Sequence, residues 1–222
     1  MPPDERTPGM PIDAALVRRL IAAQFPKWAD LPVETVEPGG WDNRTFRLGD
    51  SMSVRLPSAA AYVAQVEKEH RWLPRLAPHL PLPIPVPLAK GAPGEGYPWP
   101  WSVYRWLGGR PAAGGLIADL TEFARSLAGF LVALYRIDAA DGPPAGQHNF
   151  HRGGRLSVYD AETRAALSAL RGRIDKAAAE AVWATAHGAR GERAPGWVPW
   201  ALAPGPMVGG EGQLDARGGL GC

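Results

Sequence analysis

The sequence predicts an α+β protein of two lobes, in which an antiparallel β-sheet lobe carrying one helix is followed by a mostly helical lobe. Strand-like runs at 33–37, 44–48 and 51–56 follow one another with short turns, which is typical of an antiparallel meander. From Asp119 onward, apolar residues recur at helical spacing instead. Gly108 and Gly109 stand between the two regions and mark the expected hinge.

The composition is that of a globular protein rather than a disordered or membrane protein. Of 222 residues, 45% are hydrophobic and 21% are charged, and no apolar run approaches the roughly 20 residues that a bilayer requires. A net charge of +2 gives no support to nucleic-acid binding. Cys222 is the single cysteine, which excludes an internal disulfide and fits a reducing compartment. The start of the chain lacks the basic and apolar regions of a signal peptide, so we expect a cytoplasmic protein.

The first lobe is expected to begin with a helix and to continue into the sheet. Asp13 can cap a helix whose apolar face consists of Leu16, Val17, Leu20, Ile21 and Phe25. Gly49 and Asp50 then form a two-residue hairpin signal between the second and third strands. A helix at 59–73 contains Glu69 and is expected to stop before Pro74. The proline-rich stretch 76–100 favours extended chain, and 101–107 reads as a further strand.

The second lobe is predicted to be helical and to end in an irregular tail. Helical spacing extends over 119–135, 161–170 and 175–186. Residues 188–222 are rich in glycine and proline and show neither a helix period nor a strand period. We therefore expect a first lobe at 1–107, a helical second lobe at 108–187 and a tail at 188–222.

The turn between the first two strands has the composition of a phosphate cradle. Gly39 and Gly40 would let backbone amides approach a polyphosphate closely, and Arg55 projects one cation from an otherwise apolar end of the third strand. The alternatives are a plain hairpin turn, a surface arginine and, at Glu69, one solvated charge within Glu67-Lys68-Glu69.

Several consecutive segments together resemble the aminoglycoside phosphotransferase family. They are Pro38-Gly39-Gly40-Trp41-Asp42-Asn43, Phe46-Arg47-Leu48-Gly49-Asp50, Val54-Arg55-Leu56-Pro57, Val66-Glu67-Lys68-Glu69-His70-Arg71-Trp72-Leu73-Pro74-Arg75-Leu76 and Tyr97-Pro98-Trp99-Pro100-Trp101-Ser102-Val103-Tyr104-Arg105-Trp106-Leu107. The resemblance spans residues 11 to about 198 and implies a protein-kinase-like two-lobe fold with an incomplete second lobe.

The resemblance also implies a binding site for ATP or GTP. Its residues would be Gly39, Gly40, Asn43, Arg55, Glu69, Val103 and Tyr104. The glycine turn would cover the phosphates, and Arg55 would replace the usual strand lysine. Glu69 would pair with Arg55, and the strand 102–106 would line the adenine. The acceptor would be a hydroxyl of an aminoglycoside or a similar small polar molecule.

The chain departs from the family where the catalytic loop should stand. The family form W-[VI]-H-G-D-L-x-P-G-N corresponds to residues 197–206, yet Pro199 and Trp200 replace its His and Gly. Ala201 replaces the catalytic Asp and Pro206 the metal-binding Asn. The Mg²⁺ that the family uses would thus lack its ligands, and His148 and His151 have no carboxylate or cysteine partners at ligand spacing. The last residues also lack the family's next metal-binding Asp and its remaining helices, so we expect a C-terminally truncated member.

Three functions remain open at this point. The chain could be a phosphotransferase with impaired activity, because a hydroxyl nucleophile needs a carboxylate to accept its proton. It could be a non-catalytic nucleotide-binding pseudoenzyme that keeps Gly39, Gly40, Arg55 and Glu69 beside Ala201. It could also be a truncated product without function, arising from a shifted reading frame near codon 199.

Overall fold

The computed structural model describes residues 11–37, 40, 42–111, 117, 119–170, 172–189, 196–197, 207–210 and 213–216. A five-stranded antiparallel sheet dominates its first half. The strands are β1 (Val33–Thr35), β2 (Asn43–Leu48), β3 (Met52–Pro57), β4 (Pro87–Gly91) and β5 (Trp101–Arg105). Their order across the sheet is β1-β2-β3-β5-β4, which confirms the predicted meander and places β3 and β5 inside the sheet.

Helix α1 (Ala14–Gln24) covers one part of this sheet. The carboxylate of Asp13 accepts a hydrogen bond of 2.8 Å from the Leu16 amide, as expected for an N-cap. Leu16, Val17, Leu20 and Ile21 are at most 1% exposed and pack against sheet residues such as Phe46 and Val54. The helix is therefore fixed by its apolar face, as its sequence period predicts.

Helix α2 (Ala64–Leu76) differs from the prediction at both ends. Residues Ala60–Tyr62 form a 3-10 turn before it, and the helix continues through Pro74 to Leu76. A proline in the last turn removes a single backbone hydrogen bond. Burial of Leu73 and Leu76, each 1% exposed, offsets that loss.

The second half contains three further helices, α3 (Leu120–Arg136), α4 (Asp160–Ala169) and α5 (Lys176–Gly188). Asp119 caps α3 by accepting from the amides of Thr121 and Glu122. One hydrophobic cluster joins α3 to the sheet lobe. In it, Phe130 and Leu134 of α3 pack with buried side chains of the first half and with one residue of the tail. These are Trp72, Leu73, Leu76, Ile84, Tyr104 and Trp197. The two halves thus share a core. The domain limits given above remain a prediction.

The tail contains strands where the sequence predicts none. Strands β6 (Arg110–Pro111), β7 (Met207–Gly210) and β8 (Gln213–Ala216) form a separate antiparallel sheet in the order β6-β7-β8. The expectation of a wholly irregular tail is therefore wrong at these residues. Strands this short give no alternating pattern to read, and Gly209 and Gly210 contribute no side chain to one. No helix in the described part of the chain is long and apolar enough to cross a membrane.

Two glycines make a paired test of this packing. A Cβ added at Gly91 would stand 2.0 Å from the buried Trp101 ring, whereas one added at Gly129 in α3 would meet nothing within 4 Å. We expect Gly91→Ala to destabilise the fold by roughly 1–3 kcal/mol through overpacking. Gly129→Ala should stabilise it by up to about 1 kcal/mol, because alanine is the better helix former. Urea unfolding of both variants measures the difference, and equal shifts of the same sign would contradict this packing.

Candidate functional site

An open cleft of about 480 Å³ lies where the turn before β2, strand β3, helix α2 and the loop after α3 meet. The residues around it include Asp42, Asn43, Arg55, Tyr62, Gln65, Glu69, His148 and Phe150. Three of the residues predicted to bind nucleotide, Asn43, Arg55 and Glu69, thus line the cleft.

Arg55 and Glu69 form an ion pair, as the sequence predicts. Their Nη1 and Oε2 atoms are 3.8 Å apart, and the side chains are 17% and 5% exposed. Glu69 is therefore a buried carboxylate and not one solvated charge among its neighbours. Burying such a charge without compensation would be strongly unfavourable, so its partners decide whether this arrangement is stable.

Glu69 has two further hydrogen-bond donors. The Tyr104 hydroxyl donates to Oε2, and Gln65 Nε2 donates to Oε1 over 3.3 Å. Burial and the negative charge of Glu69 raise the pKa of Tyr104 well above its usual value, so the phenol remains a protonated donor. The Arg55 guanidinium also lies over the Tyr104 ring, with its central carbon 4.7 Å from the ring centroid. These contacts fix the direction of Arg55.

The turn before β2 is held against the end of β3. Ser58 donates its backbone amide and its hydroxyl to the Asp42 carbonyl, over 2.9 and 3.0 Å. Arg44 Nη1 donates to the Gly40 carbonyl over 3.0 Å, and a Cβ added at Gly40 would stand 3.1 Å from the Asn43 carbonyl. Burial raises the pKa of Asp42, while the nearby Arg152 and a hydrogen bond with Tyr62 act against that shift. Gly39 lies outside the described residues.

Val103 and Tyr104 lie within the sheet and not among the residues that line the cleft. Val103 pairs with Val54 of β3 and with Ala89 of β4, and it is fully buried. Tyr104 instead reaches the site through its hydroxyl bond to Glu69. The adenine-binding role of this strand stays a prediction.

Sequence reasoning missed several residues that line the cleft. Gln65 lies one helical turn before Glu69, and that spacing could have indicated the contact. His148 and Phe150 come from a distant loop that carries no sequence signal for this placement. Tyr104 bonds to Glu69 through its hydroxyl, a contact that the sequence does not predict.

The positions that correspond to the family's catalytic loop, Ala201 and Pro206, lie outside the described residues. Alanine and proline side chains have no oxygen with which to bind Mg²⁺ or to accept a proton. Within the described residues no group of three or more His, Cys, Asp or Glu side chains could hold a metal ion, and Glu69 is occupied by Arg55, Tyr104 and Gln65. Among the described residues, the side chains around the cleft therefore do not fit a magnesium site.

Comparisons with known proteins bear on the family and the fold. Residues 34–198 match the model of a family described as "Phosphotransferase enzyme family". The search of curated proteins gave no significant match to the chain. Among solved structures, the GDP and kanamycin complex of APH(2")-IIia is similar with a TM-score of 0.73 at 17% identity, covering 92% of this chain and 72% of that one.

Two other structures show the same fold at low identity. The apoenzyme of macrolide 2'-phosphotransferase MphH from Brachybacterium faecium gives a TM-score of 0.61 at 21% identity, over 93% of this chain and 71% of that one. The streptomycin-ATP-APH(2")-IIa ternary complex gives 0.60 at 15% identity, over 96% and 71%. Because the family match spans most of the chain and the solved structures share its fold, this chain belongs to the phosphotransferase enzyme family and has its kinase-like fold.

Proposed function

We propose that the cleft binds the phosphate chain of ATP or GTP. The observation that carries this proposal is the Arg55–Glu69 pair, which holds a guanidinium at 17% exposure beside the turn that contains Gly40 and Asn43. A guanidinium has five N–H donors, so contact with one carboxylate leaves others for phosphate oxygens. The backbone amides of a glycine-rich turn supply further donors for anions. Solved relatives in complexes with GDP and with ATP support the same ligand class.

We further propose that the family reaction, phosphoryl transfer to a hydroxyl of a small polar molecule, is impaired in this chain. Ala201 stands where the family has its catalytic Asp, and Pro206 where it has a metal-binding Asn. General-base help is typically worth about 10²- to 10⁴-fold in rate. A cleft that binds the nucleotide can therefore persist while transfer is slow.

A second candidate is a nucleotide-binding protein without any transfer activity. The simultaneous replacement of both functional positions favours it, because a substrate hydroxyl would have neither its proton acceptor nor a metal-bound phosphate. In either case we expect nucleotide as the ligand and a cytoplasmic setting. The two candidates differ only in whether a slow transfer is measurable.

Nucleotide binding is tested by thermal unfolding with ATP and GTP. At a ligand concentration of 100 times Kd, stabilisation of about 2.7 kcal/mol should raise the Tm by roughly 5–10 °C for a chain of this size. Arg55→Ala combined with Glu69→Gln removes the cation without leaving an unpaired buried charge. This double variant should bind about 10- to 100-fold more weakly, because a charge-assisted hydrogen bond is lost.

Arg105→Ala is the matched control, because Arg105 is an exposed arginine on the neighbouring strand β5. Its nucleotide affinity should equal that of the unmodified chain. An unchanged affinity in the Arg55/Glu69 double variant, with binding intact in the control, would contradict the assignment of Arg55.

Transfer is tested by following labelled γ-phosphate from ATP or GTP to aminoglycoside and macrolide acceptors in the presence of Mg²⁺. We expect turnover at least about 10²-fold below the 1–100 s⁻¹ that is usual for kinases. A rate within that usual range would overturn the proposed impairment. Binding without measurable transfer would favour the second candidate.

A further inference from the structure

Strands β4, β5 and β3 place three polar side chains in one row across the sheet. Lys90 of β4 pairs with Ser102 of β5, and Ser102 pairs with Arg55 of β3. Side chains of residues that lie directly opposite each other in an antiparallel sheet project from the same face. This is the face that helix α2 covers, since Arg55 contacts Glu69 of α2. Ser102 is 1% exposed, so a buried hydroxyl lies beside the cation that is proposed to bind phosphate.

His70 of α2 supplies a partner for this buried hydroxyl. Its Nε2 and the Ser102 Oγ are 3.0 Å apart, which is a hydrogen-bond distance. His70 directly follows Glu69 in the helix. A buried hydroxyl without a partner is unfavourable, so the need to satisfy Ser102 favours one position of α2 over β5. The residue that pairs with Arg55 and the residue that bonds to Ser102 are therefore held together.

The two outer members of the row contact α2 through ion pairs. Lys90 Nζ and Glu67 Oε1 are 2.7 Å apart, with side chains that are 44% and 65% exposed. Exposed pairs of this kind contribute little, because water screens their charges. The Arg55–Glu69 pair is more buried, and its atoms are 3.8 Å apart. Among the contacts of the row, the central one made by His70 is thus both short and largely removed from water.

His70 can lie between the two cations of the row because it is uncharged. Burial, followed by the positive charge of Lys90, lowers the pKa of His70. Glu67 and Glu69 act in the opposite direction and do not reverse this shift. The ordinary pKa of histidine is already about 6.5, so the imidazole is mostly neutral at pH 7. It can therefore bond to the hydroxyl without adding a third cation that would compete for Glu69.

We propose that His70 is a positioning residue for phosphate binding, which is held by Ser102 and acts on Arg55. Its bond to Ser102 fixes where α2 lies over β5, and Glu69 meets Arg55 from that position. The inference rests on the proposed function, because it assumes that Arg55 binds the phosphate chain. When the bond is lost, a smaller fraction of molecules holds Arg55 in the binding direction, and the apparent affinity for phosphate falls in proportion.

Glutamine and asparagine at position 70 test this contact against each other. The glutamine amide extends about as far from the backbone as the histidine Nε2, whereas the asparagine amide extends only about as far as Nδ1. A glutamine amide can donate to a hydroxyl or accept from it, so His70→Gln should keep ATP affinity within about twofold of the unmodified chain. His70→Asn and His70→Ala should each bind ATP about 3- to 10-fold more weakly, the loss expected for a neutral hydrogen bond.

Titration calorimetry measures these affinities for ATP and for inorganic tripolyphosphate, which has no base or ribose. The ratios between variants should be the same for both ligands, because the contact acts on the phosphate-binding cation. Alanine is the best helix former and asparagine a poor one, so a loss that both share cannot come from helix propensity. Equal affinity in the His70→Gln and His70→Asn variants would overturn the inference.

A combined variant shows whether the effect passes through Arg55. When Arg55→Ala and Glu69→Gln are already present, His70→Ala should cause no further loss of ATP affinity, because the cation that it positions is gone. A further loss of about threefold or more in that background would overturn the inference, because residues that act through one another are not additive. His79→Ala is the matched control, since His79 is an exposed histidine just after the same helix, and it should bind as the unmodified chain does.

The outcomes separate this inference from the proposed function. If ATP binds and binding requires Arg55, but His70→Ala and His70→Asn bind as tightly as the unmodified chain, the inference alone is overturned. If neither ATP nor tripolyphosphate binds the unmodified chain, both proposals fail. The Tm of each variant without ligand shows that it is folded, and all affinities are compared at a temperature well below the lowest of these values.

Discussion

The buried carboxylate of Glu69 is the constraint on which the cleft depends. At 5% exposure it is stable as an anion only with partners, and these are Arg55 on β3, Tyr104 on β5 and Gln65 on its own helix. Because the partners come from two neighbouring strands and one helix, satisfying Glu69 fixes where α2 lies on the sheet. The direction of Arg55 follows from the same contacts, since its guanidinium contacts both the carboxylate and the Tyr104 ring. The cation proposed to bind phosphate is thus held by the same side chains that stabilise this part of the fold.

In the proposed function, holding a phosphate and transferring it depend on different groups. Holding needs donors in fixed positions, and the guanidinium and the turn before β2 are the donors proposed for it. Transfer also needs a proton acceptor for the hydroxyl and oxygen ligands for a metal ion. Alanine and proline at positions 201 and 206 offer neither. This difference is the physical basis of the proposal that the chain binds nucleotide while transfer is impaired.

Much of the sheet lobe could be predicted from sequence because its signals are local. Asp13 caps α1, Gly49 and Asp50 join two strands, and the Arg55–Glu69 pair follows once the family likeness is seen. The remainder depends on tertiary contacts that no local pattern contains. Pro74 stays inside α2 because Leu73 and Leu76 are buried, and His148 reaches the cleft only because Lys68 and Asn149 hold its loop. The strands of the tail are too short to produce a period.

The most direct measurement is a crystal structure of the chain with a non-hydrolysable ATP analogue. We expect phosphate oxygens within about 3 Å of the Arg55 guanidinium and of the backbone amides near Gly40 and Asn43, with Glu69 still bound to Tyr104. Clear density for the analogue at another surface, with Arg55 contacting Glu69 alone, would contradict the central claim that this ion pair holds the phosphate-binding cation.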